Sequence, residues 1–236
     1  MLLYKIILFS GFAGITVFIG GLTANFFNHH VEESPVKYEI THALMSFGAG
    51  IILSALSLVL IPKGLEELDL LPMALSFLTG AILFMFLDRF LTKKGGQVSM
   101  LLAMMMDFIP ESIAMGAIFA SDPSTAALLA IIIGLQNLPE AFNSFRELVI
   151  SGFSTRVTLA IFFGLSIFGI PSALAGFYFL RELPEMTAHL MTFASGGILY
   201  LLIQDIIPKS KLANNYITPM GATIGFLVGI VGEKLI

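Results

Sequence analysis

The fold is decided by residues 98–149, which read VSMLLAMMMDFIPESIAMGAIFASDPSTAALLAIIIGLQNLPEAFNSFRELV. Two apolar runs, 98–120 and 124–149, surround a short polar turn, and each run approaches the length of a bilayer-spanning helix. The rest of the chain is similar, with 57% hydrophobic and 12% charged residues and a mean hydropathy of +0.94. Soluble domains are rarely so apolar. The sequence therefore predicts an all-α integral membrane protein.

Eight apolar segments of near-membrane length can be traced along the chain, separated by polar or turn-forming breaks. They are residues 2–27, 39–61, 71–91, 98–120, 124–149, 157–180, 186–207 and 217–236. The first segment has no clear small-residue cleavage signal, so we expect it to be a span rather than a signal peptide. No linker divides the chain, and residues 1–236 are expected to form a single transmembrane domain.

Charge and cysteine content narrow the possible partners. A formal net charge of -4 provides no basic surface for nucleic acid, so we expect no nucleic-acid partner. The chain contains no cysteine, which excludes disulfides and thiolate metal ligands. Any metal must therefore be held by oxygen or imidazole ligands.

The distribution of lysine and arginine predicts how the chain is oriented. Cytoplasmic flanks retain these residues. If both termini lie outside, four of them fall outside and eight inside, namely Lys37, Arg89, Lys93, Lys94, Arg146, Arg156, Lys209 and Lys211. We therefore expect both termini outside, most simply in the inner membrane of a prokaryotic cell.

Two segments that would cross the membrane in opposite directions are similar in sequence. Residues 49–63 (AGIILSALSLVLIPK) and 195–209 (SGGILYLLIQDIIPK) align without gaps and share seven residues, including an Ile-Pro-Lys ending. Chance similarity between apolar segments is the alternative, and the shared ending argues against it. The pattern indicates an inverted repeat, which in carriers places the binding site near the repeat axis.

Each of the two central segments carries a Pro-Glu pair with a polar residue four positions before the glutamate. Asp107 precedes Glu111 and Gln136 precedes Glu140, so each pair projects from one helix face. The proline removes a backbone donor and frees a carbonyl, which kinks the helix and supplies further oxygen. At ~1.5 Å per residue, Glu111 lies roughly 16 Å and Glu140 roughly 25 Å from the connecting turn, inside a hydrocarbon core ~30 Å thick. Carboxylates at that depth usually mark an ion or proton path.

These side chains predict a cation site at the centre of the bundle. Its ligands would be Asp107, Glu111, Gln136 and Glu140, with Asn137 either a peripheral ligand or a hydrogen-bonding residue between helices. Three clustered carboxylates cannot all stay ionised without a cation. Oxygen-only ligation suits Mn, Mg or Ca and tolerates Fe or Zn. The identity of the divalent metal therefore stays open.

The paired helices with x-N-x-P-E-type motifs resemble those of the ZIP (Zrt/Irt-like) divalent-metal transporters, as do the eight spans with both termini outside. The resemblance covers nearly the whole chain, and the Pro-Glu motifs are its most specific part. It implies an eight-helix bundle whose kinked fourth and fifth helices carry Zn, Fe, Mn, Co or Cd toward the cytoplasm by alternating access. It also implies a homodimer. The metal would be cargo, and no separate cofactor is expected.

The chain departs from this family at its second metal position. Where the family usually reads His-Asn-x-Pro-Glu in helix four, residues 107–111 read DFIPE. Helix six has Ile170-Pro171, where some members place a glutamate before the proline. Family members commonly hold two metals. With these ligands lost, we predict a single bound ion.

Other interpretations stay open. A carrier of protons, sodium or a small anion could use the same carboxylates, and sequence cannot separate a channel from a carrier. An intramembrane enzyme is disfavoured, because the chain has no HExxH or GxSG motif and no Gly-Asp pair of the aspartyl-protease kind.

Asn143, one turn after Glu140, is expected to form a hydrogen bond between helices. Gln204 and Asp205 would line either an exit path or a helix interface.

Overall fold

The computed structural model describes residues 2–32, 34–93, 99–213 and 215–235, without the side chains of residues 91–93, 99–103, 106 and 107. Within these ranges the chain forms helices joined by short turns, with no strand. The helices are α1 (Leu2–His30), α2 (Pro35–Ala55), α3 (Ile61–Glu67), α4 (Leu70–Lys93), α5 (Ser99–Ile118), α6 (Pro123–Ile150), α7 (Thr155–Phe179), α8 (Pro184–Leu201), α9 (Ile207–Ser210) and α10 (Ile217–Leu235). Two π-helical turns, Leu56–Leu60 and Leu202–Ile206, join α2 to α3 and α8 to α9.

Among the described residues, six helical segments are long and apolar enough to cross a membrane. They are Leu2–His30, Pro35–Glu67, Leu70–Phe90, Pro123–Ile150, Thr155–Phe179 and Pro184–Ser210. The prediction of an all-α membrane protein is confirmed at this level. The two other predicted spans correspond to α5 and α10, which contain 20 and 19 residues.

The π-helical turns occupy matching positions in the two similar segments. In each turn the backbone hydrogen bond spans five residues, from Ile61 to the carbonyl of Leu56 and from Ile207 to that of Leu202. A proline follows directly in both cases. Proline has no N–H and clashes with the carbonyl four residues earlier, and widening of the preceding turn accommodates this.

Helix packing places α5 and α6 at the centre of the bundle. The most extensive contacts pair α2 with α10, α1 with α6, α4 with α8, α1 with α7 and α5 with α7, while α5 and α6 also contact each other. Glycines allow two of these close approaches. A Cβ at Gly50 would overlap the carbonyl oxygen of Ala222 on α10, and one at Gly196 would overlap that of Phe77 on α4. The helix axes can therefore approach until backbones touch.

A tight turn makes α5 and α6 antiparallel neighbours. Asp122 caps the start of α6, where its carboxylate accepts hydrogen bonds from the backbone N–H and the hydroxyl of Thr125 at 3.0 and 2.6 Å. These bonds favour the ionised form, and the Thr125 hydroxyl is the main cause of a pKa for Asp122 below its usual value. The cap fixes the register at which the two Pro-Glu motifs meet.

Candidate cation site

A fully buried hydrogen bond joins the two central helices. Nε2 of Gln136 on α6 donates to Oε2 of Glu111 on α5 at 2.7 Å, and both side chains are 0% exposed. Such a bond is strong because an ionisable group and an amide are shielded from water together. The structure thus brings together these two predicted site residues, which lie 25 positions apart in the chain.

The prolines of both motifs lie inside their helices. Pro110 immediately precedes Glu111 on α5, and Pro139 immediately precedes Glu140 on α6. Pro139 is buried against α2, where a Cβ at Gly48 would lie only 2.8 Å from Cγ of Pro139. Helix α2 therefore packs closely on α6 at the level of the second motif.

A cavity begins at Gln136 and runs along α6. Its volume is about 40 Å³, where roughly 10–15 Å³ is enough for one water molecule. Its lining is mostly apolar side chains of α2, α6 and α8, with polar groups at both ends: Met45, Gly48, Ala49, Ile52, Gln136, Pro139, Glu140, Asn143, Ile198, Leu201, Asp205, Ile206 and Lys209. The cavity is large enough for a cation with a few water molecules.

Three polar side chains of α6 line this cavity, and Glu147, one turn further along the helix, extends the row to a ladder of four. Gln136 and Glu140 are followed by Asn143, which is buried, and by Glu147, which is partly exposed. Nδ2 of Asn143 donates to Oε1 of Glu147 at 3.4 Å, so this bond lies within α6 rather than between helices. Spacings of four, three and four residues keep the ladder on one helix face. This spacing in an otherwise apolar helix is the sequence signal that could have identified Glu147.

The opposite wall contributes a carboxylate and an ammonium group. Asp205 lies in the second π-helical turn and lines the cavity. Gln204, its neighbour, is exposed on the outside of the bundle. Nζ of Lys209 lies 2.9 Å from Oδ1 of Asp205 and 3.9 Å from Oε2 of Glu147. Sequence reasoning used Lys209 for orientation and missed its place beside the cavity.

Asn137 does not face this cavity. Its side chain is 0% exposed, and Nδ2 donates to the carbonyl oxygen of Ala13 on α1 at 3.1 Å. This bond corresponds to one of the two roles predicted for Asn137, the hydrogen bond between helices. That bond fixes α6 against α1 one residue beyond Gln136.

Several buried oxygen atoms near these motifs have no hydrogen-bond partner among the described residues. They include Oε1 of Gln136, Oδ1 of Asn137 and the hydroxyls of Ser112 and Ser144. A buried polar oxygen without a partner is costly. The Gln136 oxygen lies next to the Glu111 carboxyl and is a suitable neutral ligand for a cation.

The fifth predicted ligand, Asp107, lies on α5, and its side chain is outside the described part of the structure. Among the side chains that are described, no three from His, Cys, Asp or Glu lie close enough to hold a metal ion together. The described core of the site is therefore one carboxyl–amide pair, with Glu140 one turn along α6.

Neither the family models nor the curated proteins contain a match to this chain. The fold and the site define its class, which is an all-α membrane protein with buried carboxyl and amide groups at the contact of two proline-containing helices.

Proposed function

We propose that this protein is a ZIP-like carrier that moves a divalent metal cation across the membrane through a single central site. The hydrogen bond between Gln136 and Glu111 carries the proposal, because it brings the two Pro-Glu motifs together at zero exposure. The metal ligands would be Glu111, Gln136 and Glu140 with Asp107. Asn137 would position α6 from outside the ligand set.

The chemistry of these groups supports a cation as cargo. Buried carboxyl groups are stable in their ionised form only beside a positive charge. A divalent ion between Glu111 and Glu140 would balance two negative charges, and rotation of the Gln136 amide would turn its oxygen toward that ion. Oxygen ligands suit Mn and related divalent metals better than a site selective for zinc, which more often contains histidine.

We further propose that all eight predicted segments span the membrane as an inverted repeat, with both termini outside. Matching features support this arrangement. The contact of α2 with α10 corresponds to that of α8 with α4, and the contact of α1 with α6 corresponds to that of α7 with α5. The central pair α5 and α6 would then lie at the repeat axis, where carriers bind their cargo. The resemblance to ZIP proteins also makes a homodimer the expected assembly.

The polar ladder supports a route from the central site to one side of the membrane. Gln136, Glu140 and Asn143 line the cavity, and Glu147 continues the ladder to a length of about 16 Å along α6, at ~1.5 Å per residue. Under the proposed orientation this side is the cytoplasm, which also carries Lys209 and Arg146. The arrangement corresponds to an inward-facing state of an alternating-access cycle.

Uptake into liposomes tests the proposal. The purified protein is reconstituted around a trapped fluorescent chelator, and the initial rate of Mn²⁺ or Cd²⁺ entry is measured for Glu111→Gln and Glu140→Gln. Each change removes a charge and keeps the shape, so we expect uptake to fall at least about tenfold, since even groups that only support metal ligands contribute that much. The matched control is Glu66→Gln, whose side chain is 69% exposed and far from the cavity wall.

Uptake at the control rate in both variants would contradict the proposal. The second candidate, a proton- or sodium-coupled carrier, is supported by the same two groups, the buried Glu111 and the partly buried Glu140. It predicts flux driven by a pH or sodium gradient without any divalent metal, and that flux would be lost in both variants.

A further inference from the structure

We propose that Lys209 is the latch of a gate at the mouth of the cavity and closes it by bridging Asp205 to Glu147. The three residues lie at the end of the cavity remote from Glu111. The proposal concerns access to the cavity and holds whichever ion the carboxyl groups bind.

The geometry shows a bridge that is incompletely formed. The ammonium group of Lys209 makes a hydrogen-bonded ion pair with Asp205 on its own segment, at 2.9 Å from Oδ1 and 3.0 Å from Oδ2. Its distance to Glu147 Oε2, across the mouth on α6, is 3.9 Å. For a hydrogen-bonded ion pair, Lys209 Nζ and Glu147 Oε2 would have to move closer by about 1 Å. Closure of the mouth by that amount would join α9 to α6.

The position of Lys209 in the chain suits such a movement. It follows the second π-helical turn and Pro208, where the regular hydrogen bonding of the helix is interrupted. At irregular turns of this kind the backbone can rotate slightly, which would let α9 move relative to α6. All three side chains are partly exposed, at 42% for Lys209, 32% for Asp205 and 39% for Glu147. Water can therefore reach them, and Lys209 can change its ion-pair partner.

The matching lysine at the other end of the bundle provides a control. Nζ of Lys63 forms a hydrogen-bonded ion pair with Glu67 at 2.8 Å and lies 4.0 Å from Glu66, and both glutamates belong to its own helix. Lys63 does not line the cavity. Its charge and repeat position match those of Lys209, whereas its side chain is less exposed, at 25% against 42%, and its ion pairs bridge no helices.

Chemical labelling can test the latch directly, because the natural chain has no cysteine. Ala49→Cys places one thiol on the cavity wall, and Met45→Cys is a second reporter on the same wall. The rate of modification is measured with a cationic and an anionic methanethiosulfonate reagent of similar size. The protein is reconstituted in liposomes with and without Lys209→Gln or Glu147→Gln, and each variant is checked for a monodisperse elution profile.

A latch predicts that both substitutions change the labelling rate in the same direction. Lys209→Gln and Glu147→Gln should each speed modification by both reagents about two- to fivefold, which is the strength expected of a partly exposed ion pair. The double variant should be no faster than either single variant, because both remove the same contact. Lys209→Arg and Lys63→Gln should label at the original rate.

A simple surface-charge effect predicts the opposite pattern. Loss of the cation at Lys209 would then favour the cationic reagent, and loss of the anion at Glu147 would disfavour it. Opposite signs for the two variants, or unchanged rates in both at both reporter positions, would overturn the proposal.

Discussion

The two similar segments of this chain, 49–63 and 195–209, form the same series of α-helix, π-helical turn and α-helix, but their surroundings differ. Both contain a π-helical turn followed by an Ile-Pro-Lys step. In the first turn three of five side chains are buried, namely Leu56, Val59 and Leu60, whereas in the second only Leu202 is buried. The local sequence therefore determines the turn, and the packing of neighbouring helices determines whether it borders a cavity.

The difference continues beyond the two turns. After the first, α3 runs for seven residues and packs on α8, where Gly64 lies against the hydroxyl of Thr192. After the second, α9 has four residues and borders the mouth of the cavity. We call the first region the packed end and the second the open end. The bundle is thus closely packed beside the first turn and borders a cavity beside the second, an asymmetry that the proposed carrier would use.

The largest expected difference between the two ends is in stability. Leu60 is 0% exposed at the packed end, and its counterpart Ile206 is only partly buried beside the cavity. Leu60→Ala should lower the free energy of unfolding by about 2–5 kcal/mol, because it leaves a hole in a close-packed region. Ile206→Ala should cost less than half as much. Thermal unfolding in detergent compares the two, and equal losses would remove the distinction between the ends.

Alanine substitution at the two close glycine contacts should lower stability equally at both ends of the bundle. Equal losses would show that the ends differ at the π-helical turns and not in these helix contacts. Gly50→Ala and Gly196→Ala each place a methyl group against a backbone carbonyl of the neighbouring helix. We expect each to destabilise the protein by about 1–3 kcal/mol. Gly164, where a Cβ would contact nothing within 4 Å, serves as the neutral control. A loss confined to one of the two positions would show that the halves are not equivalent in packing.

The open end also depends on how α6 is held against α1. Asn137→Ala removes the hydrogen bond to Ala13 and should reduce stability by about 1–2 kcal/mol. Because Asn137 does not line the cavity, metal uptake by the folded fraction should change little. Uptake reduced as strongly as in Glu140→Gln would instead identify Asn137 as a ligand.

The smallest expected effect is at the turn beside the packed end. Asp122 caps α6, and its pKa is lowered mainly by the hydrogen bonds from Thr125 and to a smaller extent by the charge of Lys63. Asp122→Ala should cost about 1 kcal/mol at neutral pH. Since the pKa is lower in the folded state, this contribution is present above the usual value of 3.8 and disappears as the pH falls through the folded value. Unfolding curves of the two proteins should therefore converge at acidic pH, and a constant difference would contradict this cause.

Sequence reasoning predicted the helices better than the cavity. The predicted segment 124–149 is observed as Pro123–Ile150, because Asp122 and Pro123 form a clear helix start. The segment 39–61 is observed as Pro35–Glu67, since its polar ends stay helical beyond the apolar core. The meeting of Glu111 with Gln136 followed from two motifs on antiparallel neighbours.

The open end could not be predicted in the same way. Lys209 and Glu147 lie on helices that are distant in the chain, and their proximity depends on how α2 packs against both α6 and α9. The sequence also left Asn137 with two possible roles. The hydrogen bond of Asn137 depends on where α1 places the carbonyl of Ala13, and no pattern within α6 predicts that position.

The central claim is that the buried carboxyl and amide groups of α5 and α6 bind one divalent cation. Equilibrium dialysis of Mn²⁺ against the purified protein tests it most directly, with Glu111→Gln, Glu140→Gln and the control Glu66→Gln in parallel. We predict one saturable Mn²⁺ per chain in the wild-type and control proteins and none in the two site variants. Two ions per chain, or undiminished binding after both substitutions, would contradict the account.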